Sequence, residues 1–431
     1  PNMEMVDIEL FIADFIDADW AIPLHPEERR FQIAVWKGVW IVLLRTGQGT
    51  KTSSLTWGLI SALCGRLGQS LYEATELLLQ IYTDDPIGGV IGTLFERELR
   101  ISCTLSVWMA LGLGVAFHKA VRGKDVIWIG ARYQLGHEQL TVSITPDLID
   151  ELTHAIAGML KVNAVKIADV RRLAGQANHV AGLVFAWRPF LKSFWAALKK
   201  VAMHPGRIQG TIWRRQIDDS LLWLQAFLTH RRGTPTRGYA LRHHFNECPP
   251  SVIAFDASAV GLGAILLRDG VVTRFFTDPI GPLDEAMLGA TAGDEKRQQL
   301  WEALALLVAL RVWREVWSTG RSHLTMEGDS MTALYMLLDV KTRSDINVTI
   351  AREIALELGA ALYRPDCIRH VPGVTNKVPD YLSRCMAEPV ASQPWPAALR
   401  GSQQDHPPAR DASWYLARGP PRRTRRRIRA S

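Results

Sequence analysis

Cysteine is scarce in this chain of 431 residues: there are five, Cys64, Cys103, Cys248, Cys367 and Cys385. They are odd in number, scattered, and never spaced as Cys-x-x-Cys. That argues against a disulfide framework or a zinc site and for an intracellular, reducing compartment, cytoplasmic or nuclear. Long apolar runs are also missing. The longest, such as LSVWMALGLGVAF at 105–117, are too short to span a bilayer, so no membrane partner is expected. No basic stretch leading into an apolar one opens the chain, which argues against a secretory leader. The first residue is Pro1 rather than Met, so the sequence reads as starting at a fragment boundary or a processed end. No internal repeat is found. Charge is sparse once it is located, because six arginines between Arg422 and Arg429 nearly account for the net charge of +7. The body is therefore close to neutral.

What is present is ample apolar content for two or three domains of mixed α/β type. Residues 1–139 alternate short apolar runs with turns and helices. VDIELFIADF and WKGVWIVLLR read as strands, and the long segment from Ser53 reads as a helix leading into a strand before Asp84. Residues 140–235 read as mostly helical, opening where Thr145 can cap a helix with Pro146 at its first position. Residues 236–250 read as a linker, and a second α/β pattern fills 251–386. Residues 387–431 have the Pro/Gln/Ala-rich and Arg-rich composition of a disordered tail. Its arginines suit nucleic-acid binding, nuclear import or mere solubility.

Two stretches carry candidate chemistry. In QIYTDDPIGG, Asp84 and Asp85 stand side by side between an apolar run and a Pro/Gly turn. They fit a solvated turn or a cation site that converts their repulsion into ligation. Within 251–386, SVIAFDASAVGLGAILLRDGVVTRFFT reads as three antiparallel strands with an Asp-Gly turn. Glu302 then lies on a long apolar helix, Asp329 ends a strand, and Asp380 lies on a final helix. A carboxylate on an apolar helix face or a buried strand is costly unless paired. For Asp329 alone, a helix-capping role is the simpler account.

In this order, FDAS, QLWEALAL, EGDS and HVPGVTNKVPDYLSR resemble the ribonuclease H domain of retroelement polyproteins. The ending Asn376 to Arg384 is especially similar to the form in LTR and DIRS-like elements. The resemblance implies a five-stranded mixed sheet flanked by helices. It also implies that Asp256, Glu302, Asp329 and Asp380 hold two Mg²⁺, or Mn²⁺, to hydrolyse the RNA strand of an RNA–DNA hybrid. The loop departs from cellular enzymes of the family: Val374, not His, follows Gly373, and His370 precedes it in a structural role.

Upstream, FIADFIDADWAIPLHPEERRFQI, TGQGTKTSSLTWG, YTDD, LGLGVAFHKA and VIWIG resemble a reverse-transcriptase palm. This implies that Asp14, Asp84 and Asp85 bind two further Mg²⁺ at a template–primer, with a helical thumb and connection after them. The palm resemblance has departures. Asp19 stands where the family has an aromatic gate, Gln48-Gly49 and Ser53-Ser54 replace the usual template segment, and the fingers are expected to be missing. Primer extension by this chain is therefore not expected. The alternative is a catalytically dead, nucleic-acid-binding relic of a retroelement. An integrase-type transposase fits worse, since that family orders its acids Asp, Asp, Glu. Trp301, Trp313 and Trp317 read as core. His243, His244 and Cys248 lack a matching metal pair. Arg171, Arg172, Lys199 and Lys200 read as a solvated helix face rather than a groove lining. The sequence does not speak to oligomeric state.

Overall fold

A computed structural model of the chain describes residues 7–417, apart from 51–52, 204–209, 231–232, 234, 246, 341–346, 362 and 366. The arginine run at 422–429 lies outside the described residues. The fold is mixed α/β and packs as two units, residues 1–142 and 143–431.

In the first unit the strands Leu77–Tyr82, Asp85–Gly92, Asp7–Ile12 and Val121–Gly123 lie side by side in that order. Asp7–Ile12 runs antiparallel to Asp85–Gly92, with Ile12 opposite Ile87. Gly88 is required there, because a Cβ would fall within 2.6 Å of two ring carbons of Phe11. The helices Ser53–Gln69 and Leu94–Ala110 bury Trp57 and Trp108 respectively. The second helix opens on a reciprocal cap between Thr93 and Glu96. The stretch WKGVWIVLLR is not one strand. Ile33–Trp36 and Val39–Val42 form a hairpin, because Lys37 and Gly38 both take positive φ, 49° and 78°. That backbone twist suits a two-residue hairpin turn.

The second unit joins the helical block to a six-stranded sheet. Its helices Pro146–Leu160, Ile167–Leu183, Lys192–Met203 and Asp218–Leu228 share one buried cluster with the sheet, running from Leu152, Phe190 and Trp223 to Phe255, Trp301 and Trp313. The sheet order is Cys367–His370, His323–Gly328, Pro250–Ala257, Gly261–Arg268, Val271–Pro279 and Gln403–Gln404. The three strands from Pro250 to Pro279 pair antiparallel, the second and third joined across Asp269-Gly270, which take φ of 51° and 76°. His323–Gly328 joins parallel on one side. The helix Gln298–Val312 is apolar almost all round and buried along nearly its whole length, as befits a helix inside the core. Trp301, Trp313 and Trp317 are core side chains.

Residues 387–417, which composition assigns to a disordered tail, form an ordered strap. Gln403–Gln404 adds a parallel sixth strand beside Val271–Pro279. Asp405 accepts hydrogen bonds from Arg274 and from the Trp313 indole. The Arg410 guanidinium is buried on Asp284 and Asp278, and Trp414 stacks against Arg311. A few aromatic and arginine anchors outweigh the polar average that the composition reports.

Candidate metal and nucleic-acid site

Each predicted acid can be placed from its backbone upward. Asp256 lies near the end of the central strand Pro250–Ala257 and is 5% exposed. Glu302 sits on the core helix Gln298–Val312, whose Gln298 amide donates to the Ala257 carbonyl at 2.5 Å. That bond ties the helix to the strand carrying Asp256. Asp329 directly follows the neighbouring parallel strand His323–Gly328. Ser330, not Asp329, caps the next helix, accepting from the Ala333 amide. The loop 371–376 lies over Asp329, where a Cβ on Gly373 would come 3.0 Å from its Oδ2. His370 Nε2 is 3.2 Å from the Asp329 carbonyl, a backbone contact.

Asp380 is in the first turn of the final helix Lys377–Arg384. That helix is laid onto the sheet by close approach and by polar ties. Gly261 and Gly263 face it, and a Cβ on Gly263 would be 2.5 Å from the Ser383 amide nitrogen. The Asn376 amide donates to the Phe255 carbonyl at 3.0 Å. Ser258 donates to the Ser383 carbonyl and Thr277 to the Leu382 carbonyl, each at 2.7 Å.

The four acids are near enough to act on one another electrostatically. The Asp256 carboxyl is pushed up to about 7, first by burial and then by the charges of Asp329, Asp380 and Glu302. A hydrogen bond from Ser383 pulls it the other way. Burial also raises Glu302, aided by Asp329 and opposed by Ser330 and Gln298. Asp380 is paired with Arg384 at 2.7 Å. Among the described residues, however, no three His, Cys, Asp or Glu side chains are drawn together at the spacing of a metal shell.

The N-terminal acids meet at the tip of the Tyr82–Asp85 hairpin. The Phe15 amide donates to the Asp84 carbonyl at 3.1 Å, which puts Asp14 next to that tip. Two indoles hold the tip from below, Trp57 on the Thr83 carbonyl at 2.8 Å and Trp128 on the Asp85 carbonyl at 3.0 Å. Asp85 is raised by burial and by the charges of Asp84 and Asp14, and lowered by Lys119. Lys119 Nζ sits 2.5 Å from Asp14 Oδ2. Sequence inspection placed Lys119 in a following segment but did not show this pairing across 105 residues.

The chemistry of both donor sets fits a hard divalent cation. Every predicted ligand is a carboxylate oxygen, the donor that magnesium and manganese prefer over softer metals. At the C-terminal set, burial first and then the charges of Asp329, Asp380 and Glu302 hold the Asp256 carboxyl up.

No protein-family model matches the chain, and no curated protein sequence matches it. Among solved structures, it is similar to the foamy viral protease-reverse transcriptase in complex with RNA/DNA hybrid, at 13% identity and a TM-score of 0.43. That match covers 85% of this chain and 44% of the viral chain. A form of the same viral protein in complex with double-stranded DNA matches at 15% identity and a TM-score of 0.40, over 84% of this chain and 56% of the other. This chain thus spans about half the length of those proteins.

Proposed function

We propose that this chain is the reverse transcriptase–ribonuclease H portion of an LTR- or DIRS-like retroelement polyprotein, and that its C-terminal α/β region cleaves the RNA strand of RNA–DNA hybrids. In this reading 1–139 is a palm, 140–235 a thumb and connection, and 251–386 the nuclease. What supports it is that the charges of Asp329, Asp380 and Glu302, carried by separate elements, all bear on the buried Asp256 carboxyl. The order of their sequence motifs supports the same reading.

Asp256, Glu302, Asp329 and Asp380 would hold two Mg²⁺ or Mn²⁺, which supply an activated water and charge neutralisation at the leaving 3′ oxygen. The chain's own contribution is to place the acids. The sheet holds Asp256 on one strand and Asp329 just past the end of its parallel neighbour, the buried helix carries Glu302, and the glycine-lined contact seats the helix of Asp380. Arg384 neutralises Asp380 while no cation does.

The same reading assigns Asp14, Asp84 and Asp85 to a polymerase cation site for template–primer. The Lys119 ammonium already on Asp14 favours a quieter role there. A catalytically dead, nucleic-acid-binding relic is the competing account for the whole chain. The deciding assay is Mg²⁺-dependent cleavage of a labelled RNA–DNA hybrid by the chain and by Asp256→Asn. Cleavage by the first and not the second is expected, and an intact hybrid with both folded proteins would establish the relic.

A further inference from the structure

The ties between the last helix and the sheet are not equivalent. Ser258 and Thr277 donate to backbone carbonyls of that helix, and Thr277 also accepts from the Cys385 thiol at its end, but neither reaches a carboxylate. Ser383 differs: its Oγ is 2.9 Å from Asp256 Oδ2 and 2.9 Å from the Asp380 carbonyl. It is completely buried. A hydroxyl has one proton to give, and the two acceptors compete for it. An ionised carboxylate is the stronger acceptor, so the proton belongs on Asp256 whenever that group is charged. The carbonyl contact by itself would be the ordinary back-bond of a helical serine.

The surroundings leave Ser383 little freedom. Its amide lies where a Cβ on Gly263 would collide, and its carbonyl is held by Ser258 and faces Gly261. The side chain is thereby aimed at Asp256 from the same helix that carries Asp380, three residues earlier. We infer that Ser383 is a positioning residue that fixes the Asp256 carboxylate and registers it against the helix of Asp380, so that the two acids can share cations. The inference rests on the nuclease reading above and adds a member to its site that touches neither metal nor substrate.

The test is Mn²⁺ titration of the full chain without nucleic acid, followed calorimetrically and by electron paramagnetic resonance, for wild type, Ser383→Ala, Ser383→Thr and Thr277→Val. Each is paired with a circular-dichroism melt. Loss of an outer-shell partner lowers metal affinity by about 10- to 100-fold. That loss is expected for Ser383→Ala at the C-terminal site, with recovery in Ser383→Thr. Thr277→Val, which removes a tie to the same helix without touching a carboxylate, is expected to lose melting temperature but to bind far more tightly than Ser383→Ala. Equal affinity of Ser383→Ala and wild type overturns the inference and leaves the nuclease reading standing. So does an equal loss in Thr277→Val, or failure of Ser383→Ala alone to fold, since either makes Ser383 a fold support. Absence of Mn²⁺ binding by the wild type removes both readings together.

Discussion

The two acid groups of this protein solve the same electrostatic problem differently. The C-terminal group is set in the edge of a continuous core, with Asp256 on a central strand and Glu302 on a buried helix. Among the described residues no ion pair to Asp256 is seen, only the charge of Arg384 acting on it from Asp380's side, and its carboxyl is pushed up to about 7. The N-terminal group sits at a hairpin tip in a unit whose apolar side chains form several small clusters. Its first acid, Asp14, is already neutralised by Lys119. The same unit also exposes apolar side chains on its 33–42 hairpin, with Trp36 and Trp40 at 67% and 73% exposure. Each group has a basic partner, Arg384 on Asp380 and Lys119 on Asp14. Only the C-terminal one also holds an acid deep in a core, and under the proposed function that difference favours it for a cation.

The largest effect expected from breaking this contrast is at Asp256. Asp256→Asn should lower hybrid cleavage by more than about 100-fold, beyond what an outer-shell loss costs. The same substitution should stabilise the metal-free chain near neutral pH. The folded carboxyl titrates near 7 against an ordinary value of 3.8, so the folded state keeps its proton longer than the unfolded one. Stability is then lost as pH rises from about 4 to about 7, by at most about 4 kcal/mol at 1.36 kcal/mol per pH unit. Urea melts in chelator at pH 5 and pH 8 should show that slope in wild type and a flatter one in Asp256→Asn.

Next in size is the strap. Arg410→Ala removes the guanidinium that pairs with buried Asp284 and its neighbour Asp278. Breaking a buried pair in this way costs about 3–5 kcal/mol, measurable by urea denaturation. Gly263→Ala should cost about 1–3 kcal/mol through overpacking against the Ser383 backbone. It should also lower hybrid cleavage, because the displaced helix carries Asp380. The smallest effect is expected at Lys119. Lys119→Met removes an exposed partner, so the melting curve should barely move, while Mn²⁺ affinity of the N-terminal acids should rise slightly in a direct titration.

The sequence showed most clearly what depends on local pattern. The three strands from 250 to 279 were legible because alternation and an Asp-Gly turn specify them without help from the rest of the chain. The final helix and its Asp380 were legible from a motif. Residues 36–45 read as one strand, whereas the chain turns at Lys37-Gly38 to pair 39–42 with 33–36, since a Lys-Gly turn is a weaker signal than Asn-Gly or Asp-Gly. The helix Met331–Asp339 is legible only through the cap expected at Asp329, and the residue that caps it is the next one, Ser330. The strap was misjudged because composition averages over residues, whereas Trp414, Tyr415 and Arg410 act as individual anchors. Ser383 and Lys119 were invisible as contacts, because their partners lie more than a hundred residues away and only tertiary packing selects them.

The central claim is that residues 256, 302, 329 and 380 close around paired cations. It is tested most directly by crystals of the full chain soaked in Mn²⁺ and measured at the manganese absorption edge. The account predicts two anomalous peaks bounded by those four carboxylates, drawn closer than they stand without metal. A map with no peak there, or with manganese bound elsewhere while the four side chains stay apart, would contradict it.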